Sequence, residues 1–373
     1  MRRLYFLLLL FLPPFVSFAQ TPEKGAGVGL ETNFIAGKVF KHTPRFTAPI
    51  PDLTTAAELN IVWQTDGKES WQQRSNYPQV GLGMTVVRYG LDAIYGKCYS
   101  IYPNVQIPLL HTGRVAWTLR LGFGLSYMTK RYETAPNWDT VNNAIGSHIN
   151  NFSIFNTTLR YKINKHWDVQ AGAVFFHVSN ASLRLPNMGI NTVGAQVGLR
   201  YFPVSSEPEK IVRDLPGLKS RWLLQVRVGL SAVEYAIQDG PLYPVYIGSI
   251  YASKRYAGKN KFYIGLDASY HSHIYAFQVN NEINVGSERS HSWKSAVFAG
   301  NEFLIGRFGV MTQIGFYWKQ AMLRLAPYYL KLGTNIYILQ QEKGLVKELC
   351  YAVLLKTHQF QAEFVEMGLG IGF

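Results

Sequence analysis

Short segments in which apolar and polar side chains alternate recur along most of this chain. Residues 115–127 show the pattern, and residues 222–230 and 308–318 repeat it. In the first segment the alternate positions are occupied by Val115, Trp117, Leu119, Leu121, Phe123 and Leu125. Successive side chains of a β-strand point to opposite faces, so a period of two residues is typical of strands with one apolar face. The pattern therefore predicts an all-β protein.

The alternation divides the chain into about sixteen candidate strands. Residues 149–163 form one candidate strand without an assignable apolar face. Beyond the first twenty residues, no apolar run reaches the roughly 20 residues that a membrane-spanning helix needs. The chain contains 23 Tyr, 22 Phe and 8 Trp, whereas only 16% of its residues are charged. This composition is typical of a transmembrane β-barrel, in which aromatic girdles lie at both membrane interfaces.

We therefore expect an antiparallel transmembrane β-barrel of about 14–16 strands, because bacterial barrels normally have even strand numbers. A long polar connection at residues 203–220 separates residues 20–202 from residues 221–373. Each part holds about eight candidate strands. An eight-stranded barrel followed by a second β unit is the alternative that the pattern leaves open.

The two ends of the chain indicate export to an outer membrane. Residues 1–19 combine a basic start, a long apolar run and small residues before the expected cleavage site, as in a secretory signal peptide. Residues 365–373 alternate apolar side chains with Glu366 and glycines and end in Phe373. A terminal aromatic residue of this kind resembles the sorting signal of bacterial outer-membrane proteins. We expect the protein in the outer membrane of a Gram-negative bacterium.

The formal net charge of +14 suits a partner rich in phosphate. An exported protein meets lipid phosphate far more readily than nucleic acid, so the expected partner is lipid and nucleic acid is not expected. The remaining chemistry-bearing residues give weaker predictions. Cys98 and Cys350 either pair or remain as two buried thiols. His271 and His273 are expected to point into the lumen, and no convincing third ligand follows them, so no metal site is predicted.

A polar segment, HVSNASLRLPNMGIN at residues 177–191, follows an apolar strand. His177 and Ser179 continue the lipid-facing set of that strand, and Asn191 begins the lipid-facing set of the next one. Polar groups on the lipid face cost free energy unless they are paired, although the cost falls toward the interface. One interpretation is a rim that contacts lipid head groups. The complementary chemistry of the three side chains favours a reaction centre instead.

Serine becomes a nucleophile when a histidine takes its proton and a third group holds the imidazole in place. Side chains at positions i and i+2 of a strand project from the same face about 7 Å apart, and suitable rotamers close that distance to a hydrogen bond. Such a site would stand where lipid esters pass in the outer leaflet. The segment therefore predicts an esterase whose substrate arrives sideways through the membrane.

The same segment resembles the signature of the lipid A 3-O-deacylase (PagL) family, His-x-Ser-Asn followed by an Asn-x-Gly-x stretch and a catalytic acid. The similarity extends upstream to RLGFGLSY and NNAIGSHIN, and it covers residues 28–202. It implies an eight-stranded outer-membrane barrel with a serine hydrolase site on the outer wall. It also implies lipid A, the membrane anchor of lipopolysaccharide, as the substrate, and it implies no cofactor or metal.

By position, the resemblance implies that His177 is the general base and Ser179 the nucleophile, with Asn180 and Asn187 supporting the loop or the oxyanion. The family has a glutamate where this chain has Asn191, and an amide can orient an imidazole without offering it a negative charge. The leading hypothesis is an outer-membrane serine esterase that removes an ester-linked acyl chain from lipid A. The alternative is a non-enzymatic barrel, a channel or a structural protein, that retains a degenerate site.

Overall fold

The computed structural model describes residues 27–134, 139–204, 208–215, 220–256, 258–321, 326–359 and 361–373. The predicted signal peptide, residues 1–19, lies outside the described residues. Within these ranges, sixteen antiparallel strands close into two separate barrels of eight strands each. Among the described residues, no helix is long and apolar enough to cross a membrane.

The first barrel is formed by the first eight strands of the chain. They are β1 (Val28–Val39), β2 (Thr54–Gln64), β3 (Gln79–Arg88), β4 (Lys97–Thr112), β5 (Val115–Met128), β6 (Ile149–Lys162), β7 (Trp167–Ser179) and β8 (Ile190–Tyr201). Each strand pairs with the next, and β8 pairs back with β1, with Leu30 opposite Tyr201. Two short helices, α1 (Ser70–Arg74) and α2 (Asp92–Tyr95), lie in connections between strands.

The second barrel repeats this architecture after the connection at residues 203–220. Its strands are β9 (Trp222–Glu234), β10 (Leu242–Tyr256), β11 (Asn260–His271), β12 (Trp293–Ile305), β13 (Phe308–Lys319), β14 (Tyr328–Gln340), β15 (Glu348–His358) and β16 (Gln361–Gly372). The last strand pairs with β9, with Met367 opposite Leu230, and closes the ring. Helix α3 (Ser272–Asn280) and a 3₁₀ turn (Ser290–Ser292) connect β11 to β12.

The structure confirms the predicted all-β antiparallel barrel class. It corrects the expectation of one ring of about 14–16 strands, because β8 pairs back with β1 rather than continuing the sheet into β9. The arrangement corresponds to the alternative of an eight-stranded barrel followed by a second β unit. The second unit is itself a closed barrel, so neither ring leaves an unpaired edge.

Buried ion pairs fill the lumen of the first barrel. Glu31 lies at its centre, with its carboxylate oxygens 2.6 Å from Nε of Arg200, 3.3 Å from Arg120 and 3.4 Å from Arg160. Two further pairs complete the network, Glu58 with Arg120 at 2.6 Å and Asp168 with Arg200 at 3.2 Å. Buried charges are tolerated when each is paired and hydrogen-bonded, so this lumen is a packed interior.

The lumen of the second barrel is filled in the same way. Each of its buried cations lies within 4 Å of a carboxylate, in the pairs Arg227–Glu366, Lys261–Glu348, Lys294–Glu363, Lys331–Asp267 and Lys356–Glu363. Tyrosine hydroxyls add hydrogen bonds, such as that from Tyr329 to Asp267 at 2.7 Å. Both barrels therefore have polar, occupied interiors, whereas exposed apolar side chains such as Phe34, Val197 and Val228 cover their outer walls.

The usual polarity is reversed at one end of β6, β7 and β8. Here the side chains that face the lumen are apolar and belong to one buried cluster, namely Phe152, Ile154, Phe176, Val178 and Ile190. The outward-facing side chains between them are polar, namely Asn151, Ser153, His177, Ser179 and Asn191. The reversal explains why residues 149–163 showed no apolar face in the sequence. It places a polar patch on a wall that is otherwise apolar.

Candidate active site

The predicted site residues lie on the hairpin of β7 and β8, at the end of the first barrel that carries the loop 180–189. His177 is directly opposite Asn191 in the strand register, and Ser179 is the last residue of β7. The side chains of all three residues are on the outer face, as predicted. Ser179 is nevertheless only 6% exposed, and the loop 180–189 follows it directly in the chain.

The three side chains form a continuous series of hydrogen bonds. Nε2 of His177 lies 2.8 Å from Oγ of Ser179, and Nδ1 of His177 lies 2.6 Å from Oδ1 of Asn191. The amide oxygen of Asn191 can only accept, so the imidazole carries its proton on Nδ1. Nε2 is then free to accept the hydroxyl proton of Ser179. This is the tautomer that a general base needs.

His42 is a fourth member of this series that the sequence did not predict. Its Nδ1 lies 2.8 Å from Nδ2 of Asn191, and the tautomer protonated on Nε2 accepts a hydrogen bond from that amide. When His42 carries its proton on Nε2, this arrangement satisfies both ends of the amide, its nitrogen with His42 and its oxygen with His177. His42 lies in the connection between β1 and β2, where strand periodicity does not apply. No pattern in the sequence relates it to Asn191.

Gly189 lies against the imidazole of His177. Its φ of +74° is in the left-handed region that favours glycine, and an added Cβ would lie 2.7 Å from Cε1 of His177. The backbone N–H of Gly189 donates to the carbonyl of Ala144 at 2.9 Å, which ties it to the connection between β5 and β6. The glycine therefore permits the close approach of the loop to the imidazole.

Asn180 and Asn187 brace the loop from within. The backbone N–H of Asn180 donates to Oδ1 of Asn187 at 3.0 Å. The side chain of Asn180 donates to Oγ of Ser147 at 2.9 Å and accepts from the backbone N–H of Arg184 at 3.2 Å. Both asparagines thus adjoin the predicted nucleophile, and their hydrogen bonds hold the backbone immediately after Ser179.

The weaker candidates lie away from this site. His271 is fully buried in the second barrel, with Nε2 2.9 Å from Oγ of Ser269, and His273 lies in α3. In the described part of the chain, no group of three His, Cys, Asp or Glu side chains could hold a metal ion. Cys98 and Cys350 are buried in different barrels and are not paired with each other.

Two family models match the chain, one on each barrel. A model described as lipid A 3-O-deacylase (PagL) matches residues 55–200. A model described as acyloxyacyl hydrolase, C-terminal domain, matches residues 220–373. No curated protein sequence matches the chain.

Solved outer-membrane structures show only distant likeness to the chain. The outer membrane enzyme PagL is 16% identical, with a TM-score of 0.32, over 45% of this chain and 97% of its own. Neisserial surface protein A is 11% identical, with a TM-score of 0.35, over 48% of this chain and 99% of its own. A BenF-like porin from Pseudomonas fluorescens Pf-5 is 11% identical, with a TM-score of 0.23, over 94% and 98% respectively.

Proposed function

The chain belongs to the lipid A 3-O-deacylase (PagL) family, and on this premise we propose that it is an outer-membrane serine esterase that removes an ester-linked acyl chain from lipid A. The observation that carries the proposal is the hydrogen-bonded series Ser179, His177 and Asn191 on the outer wall of the first barrel. A hydrolytic site that faces lipid suits a substrate that never leaves the membrane.

The reaction proceeds through an acyl-enzyme. Oγ of Ser179 attacks the ester carbonyl carbon while Nε2 of His177 takes the hydroxyl proton. The tetrahedral intermediate collapses when His177 returns that proton to the departing sugar oxygen, which leaves the acyl group on Ser179. A water molecule then attacks the acyl-enzyme, with His177 again as the base, and the fatty acid is released.

Asn191 keeps the imidazole in its reactive tautomer but supplies no negative charge. In a serine triad, replacing the acid by an amide costs about 10⁴ in kcat when the amide stabilises the wrong tautomer. Here a His42 that accepts from the amide nitrogen keeps the amide oxygen toward His177, and in that arrangement the penalty is avoided. The remaining cost is the weaker stabilisation of the imidazolium that forms as Ser179 attacks. We infer a slower enzyme than one with a carboxylate at this position.

Asn180 and Asn187 are the candidates to stabilise the oxyanion. Their amide groups belong to the loop that covers Ser179, and donors fixed by a hydrogen-bond network cost little reorganisation when charge develops. Removing one such donor typically slows acyl transfer by about 10²–10³. Substitution of Asn187 leaves the side-chain hydrogen bonds of Asn180 to Ser147 and Arg184 in place, although it removes the acceptor of the Asn180 backbone N–H.

The interiors of the barrels favour the enzyme over the channel. A channel needs a continuous aqueous lumen, whereas both lumens here hold buried ion pairs between strands that are not neighbours, such as Arg120 with Glu31 and Lys331 with Asp267. The reversed polarity at the loop end of β6, β7 and β8 also serves a site on the outer wall and has no use in a channel. These observations support an enzyme rather than a channel.

Mass spectrometry of lipid A from cells with and without the protein tests the proposal. Lipid A should lose one acyl chain only in cells that express the native protein. Ser179→Ala and His177→Ala should abolish this loss while both variants still migrate as heat-modifiable barrels, because neither side chain packs in the buried cluster. Identical spectra with native protein, or an active Ser179→Ala variant, would contradict the serine mechanism.

A further inference from the structure

A carboxylate of the second barrel reaches into the catalytic loop of the first. Glu234 ends β9, and its side chain is 0% exposed. One of its oxygens accepts from Nη1 of Arg184 at 2.6 Å, and the other accepts from the backbone N–H of Leu185 at 2.6 Å. Both donors lie in the loop 180–189. The carboxylate therefore binds this loop with both of its oxygens.

Two further contacts tie the same loop to the second barrel. Nη1 of Arg184 also donates to the carbonyl of Gly240 at 3.0 Å, and Oγ of Ser182 donates to the carbonyl of Ala362 at 2.8 Å. The anchoring residues belong to the connection after β9 and to β16, which are neighbours in the second barrel. The loop is thus held at its middle by one barrel and at its ends by the other.

The conformation of the loop explains why it needs this support. Ala181 and Ser182 have φ values of +52° and +66°, in the left-handed region that side chains with a Cβ rarely adopt. Such residues persist only when surrounding contacts hold them. A fully buried carboxylate also loses its hydration, and it recovers this cost only when charged and backbone donors satisfy it. The contact between Glu234 and the loop therefore stabilises both partners.

The contacts of the loop lead from Glu234 to the reacting residues. Arg184 donates through its backbone N–H to Oδ1 of Asn180, the residue after Ser179. Asn180 in turn donates to Asn187, and Gly189 packs against His177. A displacement of the middle of the loop is transmitted to the nucleophile, to the oxyanion donors and to the base.

We propose that Glu234 is a positioning residue for the reaction, through which the second barrel clamps the loop 180–189 in its reactive geometry. The inference rests on the proposed serine mechanism, and it gives the second barrel a function in catalysis. Glu234 touches neither the ester nor the nucleophile. It acts through Arg184, Leu185 and the asparagines that adjoin Ser179.

The test measures covalent labelling of Ser179 by a fluorophosphonate in the purified full-length protein in detergent. Glu234→Gln removes the charge and one of the two acceptors. We expect its labelling rate to fall by roughly 10- to 100-fold, since small misplacements remote from the chemistry cost this much. The final stoichiometry should still equal that of the native protein. A merely structural role would lower the labelled fraction and leave the rate of the folded molecules unchanged.

Asp239→Asn is the matched control. Asp239 forms a salt bridge with Arg131 at 3.0 Å, which also joins the two barrels. Its partner in this salt bridge lies outside the loop 180–189. Asn tolerates the φ of +55° at this position. The variant should be labelled at the native rate. A slowdown equal to that of Glu234→Gln would mean that any loosening of the two barrels slows the reaction, and it would overturn the specific role of Glu234.

The remaining outcomes separate the clamp from the proposed function. Native labelling rates in Glu234→Gln would overturn the clamp alone. A native protein that is not labelled at Ser179 would overturn the serine mechanism and the clamp with it. Labelling that depends on Glu234, together with unchanged lipid A in cells, would support the clamp and reject the substrate. If Glu234→Gln does not fold, the labelling rate of Arg184→Gln tests the clamp in its place. Arg184 is the more exposed partner of the same ion pair, so its substitution should disturb folding less.

Discussion

His42 and His177 bind opposite ends of the same side-chain amide, that of Asn191. The amide oxygen lies 2.6 Å from Nδ1 of His177, and the amide nitrogen lies 2.8 Å from Nδ1 of His42. A glutamate needs no such second partner, because both of its oxygens accept. An asparagine orients an imidazole correctly only when another contact keeps the amide nitrogen away from that imidazole. The contact with His42 thus accompanies the replacement of the acid by an amide in this chain.

His42→Ala should lower the rate of deacylation by tenfold or more, and about 10⁴ is the limit for a fully wrong tautomer. Without His42 the Asn191 amide is free to turn its nitrogen toward His177, which moves the imidazole proton to Nε2. The measurement is kcat on lipid A in mixed micelles. His111→Ala is the control, since His111 lies at the opposite end of the barrel. Equal rates for the two variants would exclude His42 from the site.

The sequence predicted the residues of β7 and β8 that face lipid, because the two-residue period of a strand determines which side chains share a face. His177, Ser179 and Asn191 could therefore be placed together before their distances were known. His42 could not, because it lies in a connection that follows no period. Glu234 was missed for another reason, since its contact with the loop depends on how the two barrels lie against each other.

The sequence pattern also could not predict where the sheet closes into a barrel. Strands that end one barrel and begin the next alternate in the same way, and the alternation does not distinguish a pairing of β8 with β1 from a pairing with β9. The polar connection at residues 203–220 indicated only that a break was possible. The reversed polarity of β6 left residues 149–163 without a recognisable apolar face, because the apolar side chains at one end of this strand pack in the lumen beneath the site.

Substitutions at Asn191 should show how much the reaction depends on a negative charge at this position. Asn191→Asp retains the position of the oxygen that lies 2.6 Å from His177 and adds a negative charge, so it should be at least as active as the native protein. Asn191→Glu, which restores the residue of the family, should be at least as active as well. Asn191→Ala removes the orienting oxygen and should be slower. The comparison uses kcat, and equal activity in all four proteins would show that Asn191 is a bystander.

The first barrel should fold without the second but react more slowly. Residues 20–202 contain all eight strands of a ring that closes on itself, so this fragment should migrate as a compact, heat-modifiable barrel in detergent. It lacks Glu234 and Ala362, which hold the loop 180–189. The fluorophosphonate should therefore label the fragment more slowly than the full chain. A fragment that stays unfolded would show that closure of the first ring depends on the second.

Gly189→Ala should damage the site while leaving the barrel folded. The new Cβ would lie 2.7 Å from Cε1 of His177 and would displace the imidazole from Ser179. The substitution also strains a backbone with a φ of +74°, at a cost of about 1 kcal/mol.

Gly113→Ala separates the two effects, because Gly113 has a φ of +55° and no neighbouring atom within 4 Å of an added Cβ. Gly113→Ala should lose stability through backbone strain alone and keep its activity, whereas Gly189→Ala should lose activity by roughly tenfold or more. Equal activity in the two variants would show that the imidazole does not depend on the close approach of Gly189.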